Sequence, residues 1–381
     1  MIDRKRLAET FKFLVQIDSI SKEEGVIANE IKKILESLGA ETFVDNAGDK
    51  IGGNSGNLIA KFKGNTLSPP LLLNAHMDTV EPGRGITAVF EKGKFTSDGT
   101  TILGADDKSA IAILLETLYI LKENNLQYGP LELVFTVCEE IGLQGAKHLD
   151  LSSVTATYGF ALDATDTQGI VTRAPSANNF EFIIHGKDAH AGAAPEKGIN
   201  AISLASQAIA KLKLGRIDEE TTCNIGIIEG GIATNIVPNL VKVKGEVRSH
   251  DEEKLDKITN QIVSSFNEAI ENYKKKSSDN ELPRVDIIIN KDFPRTHIPD
   301  DHPVIRMATQ AAENLGRTMK TKTSGGGADA NIFVEKGIFT GVLGTGMRDM
   351  HTVRESVKLD DMVHTTELLL EIIRLHSQTG N

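Results

Sequence analysis

The sequence predicts an α/β protein that is interrupted by an inserted α+β domain, and three observations lead to this prediction. Apolar runs alternate with amphipathic helical patterns over the first part of the chain, the order of elements changes near Ala174, and the first order returns after Pro294. The length of 381 residues also fits two domains rather than one, because a single domain usually holds about 100–200 residues.

Helices and buried strands alternate in the first part of the chain. Residues 6–17 and 24–38 carry apolar side chains at helical spacing and predict amphipathic helices. The predicted strands are apolar at nearly every position, which is typical of strands buried on both faces of an α/β sheet. We expect strands at residues 57–63, 71–75, 131–138 and 158–162, and a helix at residues 109–122.

A different order begins near Ala174 and predicts the inserted domain. The patterns give strand, helix, strand, strand, helix and strand, which is the ferredoxin-like order. They lie at residues 180–185, 200–212, 223–229, 241–247, 251–275 and 285–289. A helix at 303–315, a strand at 338–343 and a helix at 358–375 then resume the first order. We therefore expect residues 1–174 and 293–381 to form one domain and residues 175–292 to form the inserted one.

Charge and composition weigh against several classes of function. The chain has 42 lysines and arginines against 53 aspartates and glutamates, a formal net charge of −11, which argues against nucleic acid or a membrane surface as a partner. No apolar run reaches the roughly 18 residues of a membrane span, and the N-terminus lacks a secretory signal pattern. The two cysteines, Cys138 and Cys223, form no metal or redox motif. We expect a cytoplasmic protein.

Acidic residues and histidines follow several of the predicted strands. His76 and Asp78 come directly after the strand at residues 71–75, and strand alternation points both side chains the same way. A metal-bound imidazole usually donates its other N–H to a carboxylate, which fixes its orientation. Asp78 is placed to be that carboxylate. By itself, however, such a pair is more often a structural contact.

Two aspartates, Asp106 and Asp107, precede the helix predicted at residues 109–122. In isolation they are most simply interpreted as a helix N-cap, placed favourably for the helix dipole. A carboxylate that bridges two cations is, however, what a two-metal hydrolase needs at its centre. Both interpretations stay open at this point.

Two glutamates, Glu139 and Glu140, follow the apolar strand predicted at residues 131–138. Half-buried, unpaired carboxylates would be destabilising or would become protonated. Nearby cations would relieve one glutamate and leave the other free to act as a base. Both side chains can face the cations only if the backbone turns at Gly142 or just before it, because neighbours in a strand point to opposite faces. The alternative is a solvated loop.

Asp163 and His351 extend the same arrangement. Asp163 follows the strand at residues 158–162, and His351 follows the strand at residues 338–343 after a glycine-containing turn. Together with the residues above, these groups favour a site for two cations with mixed nitrogen and oxygen ligands. Zinc is the metal that such ligands suit first, and manganese or cobalt would also fit.

The motifs that contain these residues resemble the dizinc peptidase family of peptidase T, aminoacylases, glutamate carboxypeptidases and succinyl-diaminopimelate desuccinylase. The similarity is greatest to the peptidase T-like members, and it extends from His76 to His351, over nearly the whole chain. The motifs are, in order, NAHMDTV, GADDKSA, VCEEIG, ALDA, AHAGAAPEKGINA, SGGGADANIF and GTGMRDMHT.

The resemblance implies a zinc-exopeptidase-like catalytic domain with a central mixed sheet and two divalent metal ions per chain. It gives Asp78 the role of orienting His76, makes Glu139 the general base, and implies a cis peptide bond between Asp106 and Asp107. The metal ligands that it implies are His76 and Asp163 for the first ion, Glu140 and His351 for the second, and Asp106 as the bridge.

The resemblance also gives the inserted domain a role as a lid and as the interface of a homodimer. His190 is similar to a histidine that stabilises the oxyanion, often from the other subunit of a dimer. Asn235 and Arg248 match positions that hold the backbone and carboxylate of the substrate. Gly326, within the glycine run 325–327, matches a backbone wall of the substrate pocket.

These assignments predict hydrolysis of a peptide bond in short peptides, by a tripeptide aminopeptidase. The same metals and base would serve an amidohydrolase of N-acyl amino acids. The two differ in one subsite, since a free amine needs acidic or carbonyl groups and an acyl group needs apolar ones. A non-catalytic binding protein of the same fold is the third hypothesis. Such a protein would have lost a ligand or the glutamate base, and none is lost in this sequence.

Overall fold

The computed structural model describes residues 2–276 and 281–379, and the chain divides into two units. Unit 1 consists of Met1–Arg173 with Thr296–Asn381, and unit 2 consists of Ala174–Arg295. The predicted fold class is confirmed. Unit 1 has a mixed sheet that contains strands from before and after the insertion, and unit 2 has an antiparallel sheet with helices.

Strands and helices are numbered in chain order over the described residues. The strands are β1 (Glu41–Val44), β2 (Leu58–Phe62), β3 (Leu71–His76), β4 (Val89–Glu91), β5 (Lys94–Thr96), β6 (Leu131–Thr136), β7 (Tyr158–Ala164), β8 (Gly169–Ala174), β9 (Ser176–His185), β10 (Gly215–Arg216), β11 (Thr221–Gly230), β12 (Leu240–Ser249), β13 (Arg284–Phe293), β14 (Thr296–His297), β15 (Lys320–Thr323), β16 (Phe339–Gly344) and β17 (Ser356–Lys358). The helices are α1 (Arg4–Val15), α2 (Gly25–Ser37), α3 (Ala47–Ile51), α4 (Ala105–Glu123), α5 (Gln144–His148), α6 (Ala201–Ile209), α7 (Glu252–Glu271), α8 (Pro303–Asn314), α9 (Asp329–Glu335) and α10 (Leu359–His376).

The main sheet of unit 1 has the strand order β1-β2-β6-β3-β7-β16-β8-β14, and β15 pairs with β8. Strands β6, β3, β7 and β16 lie side by side and are parallel, so their carboxyl ends meet at one edge, which we call the carboxyl edge. Every residue of β3 and β6 is buried. This explains why both strands are mostly apolar, because helices cover both faces of such a sheet. A small separate sheet has the order β17-β5-β4.

Helix α4 is buried over most of its length. A helix that is apolar around most of its circumference packs inside a domain, and α4 packs against α1, α10 and β3. Glu116 is a buried charge on this helix, and its Oε2 lies 2.7 Å from Nε of Arg6 on α1. The helix begins at Ala105, earlier than predicted, and its first turn contains Asp106 and Asp107 with non-helical backbone angles.

The sheet of unit 2 has the order β10-β11-β12-β9-β13, and all neighbouring strands are antiparallel. Helices α6 and α7 pack against β9 and β12 and bury a core that includes Phe180, Phe182 and Phe266. The rings of Phe182 and Phe266 stack with their centres 4.0 Å apart. The order β9, α6, β11, β12, α7, β13 confirms the predicted ferredoxin-like order, to which the short strand β10 is added at one edge.

The elements that the sequence did not predict are mostly short edge strands. All four residues of β15 are exposed, for example, so no apolar periodicity marks this strand. The strand predicted at 131–138 ends at Thr136. Within residues 2–276 and 281–379, no helix is long and apolar enough to cross a membrane.

Candidate metal centre

The predicted metal ligands all belong to unit 1 and lie together at the carboxyl edge of its sheet. His76 ends β3, Glu140 follows β6, Asp163 lies near the end of β7, and His351 follows β16. Asp106 lies in the first turn of α4. Because the carboxyl ends of parallel strands meet at one edge, the fold brings together residues that are far apart in the chain.

Asp106 lies between two histidines. Its Oδ1 is 3.1 Å from Nε2 of His76, and its Oδ2 is 3.3 Å from Nε2 of His351. The same nitrogen of His351 is 3.0 Å from Oε1 of Glu140. Each oxygen of one carboxylate thus faces a different imidazole, which is the arrangement expected of a carboxylate shared by two cations. The peptide bond between Asp106 and Asp107 is cis, which confirms that expectation.

Asp107 and Asp163 place further oxygen atoms next to Asp106. The ligand atoms of these three aspartates lie within 4.8 Å of one another, as do those of His76, Asp106 and Glu140. Asp107 Oδ2 accepts a hydrogen bond from the backbone N–H of His76 at 3.1 Å. Its buried Oδ1 has no hydrogen-bond partner in the described part of the chain. A bound cation would satisfy such an oxygen. The sequence had given Asp107 no ligand role.

The acidic side chains of this site disfavour one another's charged forms. We call them the carboxylate cluster; its members are Asp106, Asp107, Glu139, Glu140 and Asp163. Burial and neighbouring carboxylates raise the pKa of Asp107, Glu139, Glu140 and Asp163 above the usual range of a carboxyl group. Among the described residues, the cluster forms ion pairs with histidines and none with lysine or arginine. The residues therefore fit bound divalent cations, which would keep the carboxylates ionised.

The two histidines and Asp106 shift one another's pKa values. Burial alone would lower the pKa of His76, but Asp106 and Asp78 outweigh burial and raise this pKa well above its usual range. Burial alone would raise the pKa of Asp106, but His351 and His76 lower it below its usual range. Hydrogen bonds with Asp106 and Glu140 raise the pKa of His351 to about 10. The protein thus favours positive charge on both sides of the Asp106 carboxylate.

A turn at Cys138 precedes the two glutamates of the cluster. Cys138 has a φ of 53°, in the left-handed region, so the chain turns ahead of Glu139 and Glu140. The turn that the sequence predicts at Gly142 or just before it is also present, since Gly142 has a φ of 96° and its N–H donates a hydrogen bond to the carbonyl of Glu139 at 3.0 Å. Asp78 accepts hydrogen bonds from the backbone N–H groups of Glu139 and Glu140 at 2.9 and 3.2 Å. The left-handed residue and the Asp78 carboxylate together fix both glutamates.

Asp78 also contacts the imidazole of His76. Nδ1 of His76 lies 3.0 Å from the backbone oxygen of Asp78 and 3.3 Å from its Oδ1. The Ser21 hydroxyl donates a hydrogen bond to Oδ2 of Asp78 at 2.7 Å. One buried carboxylate therefore connects the histidine after β3 with the glutamates after β6.

Three more buried carboxyl groups lie close to these residues and were missed by the sequence analysis. Glu24 accepts hydrogen bonds from the backbone N–H of Cys138 at 2.9 Å and from its thiol at 3.3 Å. Asp329 accepts a hydrogen bond from the hydroxyl of Thr136, and burial raises the pKa of Asp329 to about 6. Glu355 is the third and is described below. None of the three follows an apolar strand directly, so a search for polar residues at the ends of predicted strands does not find them.

His190 and Asn235 lie in neighbouring loops of unit 2. The backbone N–H of Ala191 donates a hydrogen bond to the carbonyl of Asn235 at 2.9 Å. Nδ1 of His190 accepts hydrogen bonds from the backbone N–H groups of Gly192 and Ala193, at 3.2 and 3.1 Å. In the neutral ring the proton therefore sits on Nε2, which leaves this exposed side chain with a free donor.

The other two predicted substrate-binding residues lie elsewhere in the fold. Arg248 is on β12 of unit 2, where it donates a hydrogen bond to Glu246 at 2.9 Å and places its guanidinium 5.7 Å from the ring centre of Phe293. Gly326 is in unit 1, in the loop before α9. Its N–H donates a hydrogen bond to the hydroxyl of Ser324 at 3.0 Å.

Carboxylates and histidines around a shared aspartate, at the carboxyl edge of the parallel strands, define a metallohydrolase centre. Two family models match the chain. The model described as peptidase family M28 matches residues 57–186, which include part of this centre. The model described as a peptidase dimerisation domain matches residues 175–274, within unit 2.

Relatives align with the chain over nearly its full length. The YqjE protein of Bacillus subtilis (strain 168) is 42% identical over 98% of this chain and 99% of its own. Aminopeptidase PepT from Bacillus cereus ATCC 10987 is 40% identical in a solved structure, with a TM-score of 0.87 over 99% of this chain and 100% of its own. A tripeptidase structure from Staphylococcus aureus subsp. aureus Mu50 is 36% identical, with a TM-score of 0.91 over 100% of both chains. The chain therefore belongs to the M20/M28 zinc exopeptidase family and is a peptidase T-like metallopeptidase.

Proposed function

We propose that the protein is a two-metal aminopeptidase that removes the N-terminal residue of short peptides, in particular tripeptides. The observation that carries this proposal is the Asp106 carboxylate, whose two oxygens face His76 and His351 at 3.1 and 3.3 Å. Support for the substrate class comes from the similarity to a solved aminopeptidase and a solved tripeptidase over the whole chain.

We assign His76, Asp106 and Asp163 to one divalent cation, and Asp106, Glu140 and His351 to the other. Imidazole nitrogens and carboxylate oxygens suit zinc first, and manganese or cobalt also accept them. Two cations held by these residues would lower the pKa of a bound water and polarise the carbonyl of the scissile bond.

Glu139 is the general base of the proposed reaction. It takes the proton of the attacking water and later gives it to the leaving amine. Burial raises the pKa of this carboxyl, which suits a group that must hold a proton between the two steps. Asp78 fixes the backbone N–H of Glu139 at 2.9 Å, and this contact keeps the base in place beside the ligand Glu140.

Four residues bind the substrate in this proposal: His190, Asn235, Arg248 and Gly326. His190 donates from Nε2 to the oxyanion that forms at the scissile carbonyl, since two backbone N–H groups occupy its Nδ1. The guanidinium of Arg248 binds the C-terminal carboxylate of the peptide, and Asn235 binds its backbone. Gly326 lets the loop backbone approach the substrate closely, because glycine has no side chain.

The proposed enzyme is a homodimer whose interface lies in unit 2. Support comes from the match of residues 175–274 to a peptidase dimerisation domain. Large apolar side chains are exposed in the same segment: Ile227 and Ile228 on β11 are 48% and 53% exposed, and Ile232 is 82% exposed. Exposed apolar side chains that are close in the chain are typical of interaction surfaces.

The test of this function compares a free tripeptide with its N-acetylated form. We expect the zinc-loaded protein to release the N-terminal amino acid from the free tripeptide and to leave the acetylated one nearly intact, as followed by mass spectrometry. Faster cleavage of the N-acetylated substrate would contradict the aminopeptidase and favour an amidohydrolase of N-acyl amino acids. If the metal-loaded protein hydrolyses neither substrate, both activities are contradicted and the hypothesis of a non-catalytic binding protein is favoured.

A further inference from the structure

Glu355 is a buried carboxylate that has no part in the proposed reaction. Only 1% of its surface is exposed. Its Oε2 accepts hydrogen bonds from the backbone N–H groups of Leu103 and Gly104 at 2.8 and 2.7 Å, and its Oε1 accepts one from the N–H of Asp106 at 2.9 Å. Both oxygens are therefore used to hold the turn from which α4 starts.

The turn held by Glu355 leads into α4, and one of its three N–H groups, that of Asp106, belongs to the first turn of the helix. The first N–H groups of a helix lack carbonyl partners within the helix. Gly104 adopts a φ of 72°, and Asp106 has non-helical backbone angles within the first turn of α4. A charged acceptor that binds all three N–H groups fixes this backbone and, with it, the position from which the Asp106 side chain projects.

The same glutamate lies at the end of the loop that carries His351. Arg348 and Ser356 close this loop with two backbone hydrogen bonds of 2.9 and 3.0 Å. His351 lies between them with a φ of 60°. The backbone N–H of Glu355 donates a hydrogen bond to the carbonyl of Thr352 at 3.0 Å, inside the loop. The side chain of Glu355 thus ties the His351 loop to the Asp106 turn.

We propose that Glu355 is a positioning residue that sets the distance between Asp106 and His351 and so determines how tightly the centre binds metal. Asp106 Oδ2 and His351 Nε2 are 3.3 Å apart, and each belongs to a separate backbone segment that Glu355 connects. This inference rests on the metal assignment of the proposed function. It makes no assumption about the substrate.

Glu355→Gln removes the charge and almost preserves the shape. One carboxylate oxygen becomes an amide nitrogen, which is a donor and cannot accept from the backbone N–H that it faces. We expect the affinity for Zn²⁺ to fall by about 10–100-fold, the usual effect of losing a partner behind a metal ligand. At saturating Zn²⁺ the variant should still hold as many ions as the unmodified protein.

Glu132 offers a matched control for this substitution. It is also a buried glutamate, with 4% of its surface exposed, and it also accepts backbone N–H groups. Those donors are Thr155 and Ala156, at 2.7 and 2.8 Å, and they lie just before the start of β7, away from the carboxyl edge. Glu132→Gln therefore makes the same chemical change at the amino ends of β6 and β7, opposite the edge where the proposed metal ligands lie.

The experiment measures two quantities in the unmodified protein, Glu355→Gln and Glu132→Gln. One is the Zn²⁺ affinity, from competition with a chromophoric chelator, and the other is the urea midpoint of the metal-free protein. We expect both variants to lower the urea midpoint, and only Glu355→Gln to lower the Zn²⁺ affinity. If Glu355→Gln does not fold, Glu355→Asp keeps the charge but shortens the side chain, and it is compared with Glu132→Asp.

Equal Zn²⁺ affinity in Glu355→Gln and the unmodified protein would overturn the proposal. An equal loss of affinity in Glu132→Gln would also overturn it, since the effect would then follow from stability alone. Normal metal binding by a protein that cleaves no peptide would contradict the proposed function and leave the role of Glu355 intact.

Discussion

Glu132 and Glu139 lie at opposite ends of strand β6 and have opposite surroundings. Glu132, at the amino end, accepts the backbone N–H of Ala156 at 2.8 Å, and its Oε1 lies 3.3 Å from the ammonium of Lys61. Glu139, beyond the carboxyl end, lies in a cluster of carboxylates that forms no ion pair with lysine or arginine within the described residues. The first glutamate is neutralised by the chain, and the second is not.

Helix α4 shows the same difference along its length. Glu116, in its later turns, is 2% exposed and binds the guanidinium of Arg6 through two hydrogen bonds of 2.7 and 3.0 Å. Asp106 and Asp107, in its first turn, face histidines and other carboxylates. A buried carboxylate without a counter-charge is strongly destabilising. A set of them at one edge of the sheet therefore indicates that cations from outside the chain supply the missing charge.

The largest effect is expected from Glu139→Gln, and the same substitution at the other end of β6, Glu132→Gln, is its control. Glu139→Gln should lower kcat by roughly 10²–10⁴-fold, the range for a general base, and leave the metal content unchanged. Glu132→Gln should keep the activity of the unmodified protein, because this glutamate contacts Lys61, Thr155 and Ala156, at the end of the sheet away from the proposed metal ligands. Steady-state kinetics on a free tripeptide, with metal analysis of each sample, makes the comparison. Full activity in Glu139→Gln would place the base elsewhere.

Removing the positive partner of Glu116 should leave a buried carboxylate without a counter-charge, as we expect for the carboxylate cluster when no metal is bound. Arg6→Met leaves this buried carboxylate unpaired and should lower the free energy of unfolding by roughly 3 kcal/mol. Arg4→Met is the control, because Arg4 and its partner Asp360 are both exposed, and such pairs contribute at most about 1 kcal/mol. Urea unfolding measures both. If the two variants lower the free energy of unfolding equally, then Arg6 does not stabilise the buried Glu116 carboxylate, and the comparison between this carboxylate and the cluster fails.

Glu140→Gln separates the proposed ligand from the base beside it. Loss of one anionic ligand should weaken one metal site by roughly tenfold or more, and excess Zn²⁺ should restore part of the activity. The same excess should do nothing for Glu139→Gln, whose metals are already bound. Activity at rising Zn²⁺ concentration, measured for both variants, tests this. Rescue of Glu139→Gln and not of Glu140→Gln would show that the two roles are reversed.

Two buried histidines extend the comparison to pH. Carboxylates raise the pKa of His76, whereas burial lowers the pKa of His376 to about 4. Neither ring nitrogen of His376 has a hydrogen-bond partner in the described residues. Since the unfolded chain takes up this proton near pH 6.5 and the folded protein only near pH 4, stability falls as pH is lowered between these values. From pH 7 to pH 4.5 the loss is roughly 2 kcal/mol.

His376→Leu should remove this part of the pH dependence, and His364→Leu should not, because His364 is an exposed residue of the same helix. Urea unfolding at the two pH values gives the difference for each variant. An unchanged pH dependence in His376→Leu would show that His376 is not the group responsible.

Residues at the ends of apolar strands could be predicted from the sequence because two patterns coincide there. The largely apolar run of β3 locates the strand, and His76 and Asp78 are polar residues at its end and just beyond it. The parallel order then follows from the helices between strands, so Asp163 and His351 could be placed at the same edge. The ferredoxin-like order of unit 2 was predicted by the same periodicities.

The supporting carboxylates could not be predicted in this way. Glu24 and Glu355 act on the backbone of residues more than a hundred positions away. No local periodicity encodes such contacts, because they depend on how separate elements pack. The left-handed conformation of Cys138 was also not predicted, since a positive φ at a non-glycine residue has no clear sequence signal. Site residues at strand ends could therefore be predicted from the sequence. Residues that support the site through hydrogen bonds between distant segments could not.

In the proposed enzyme, two divalent cations neutralise the carboxylate cluster. Titration of Zn²⁺ into chelator-stripped protein, by calorimetry with activity measured on the same samples, tests it most directly. We predict binding of two ions per chain, no peptide hydrolysis in the metal-free protein, and return of activity as the sites fill. Binding of fewer than one ion per chain, or full activity without metal, would contradict the account.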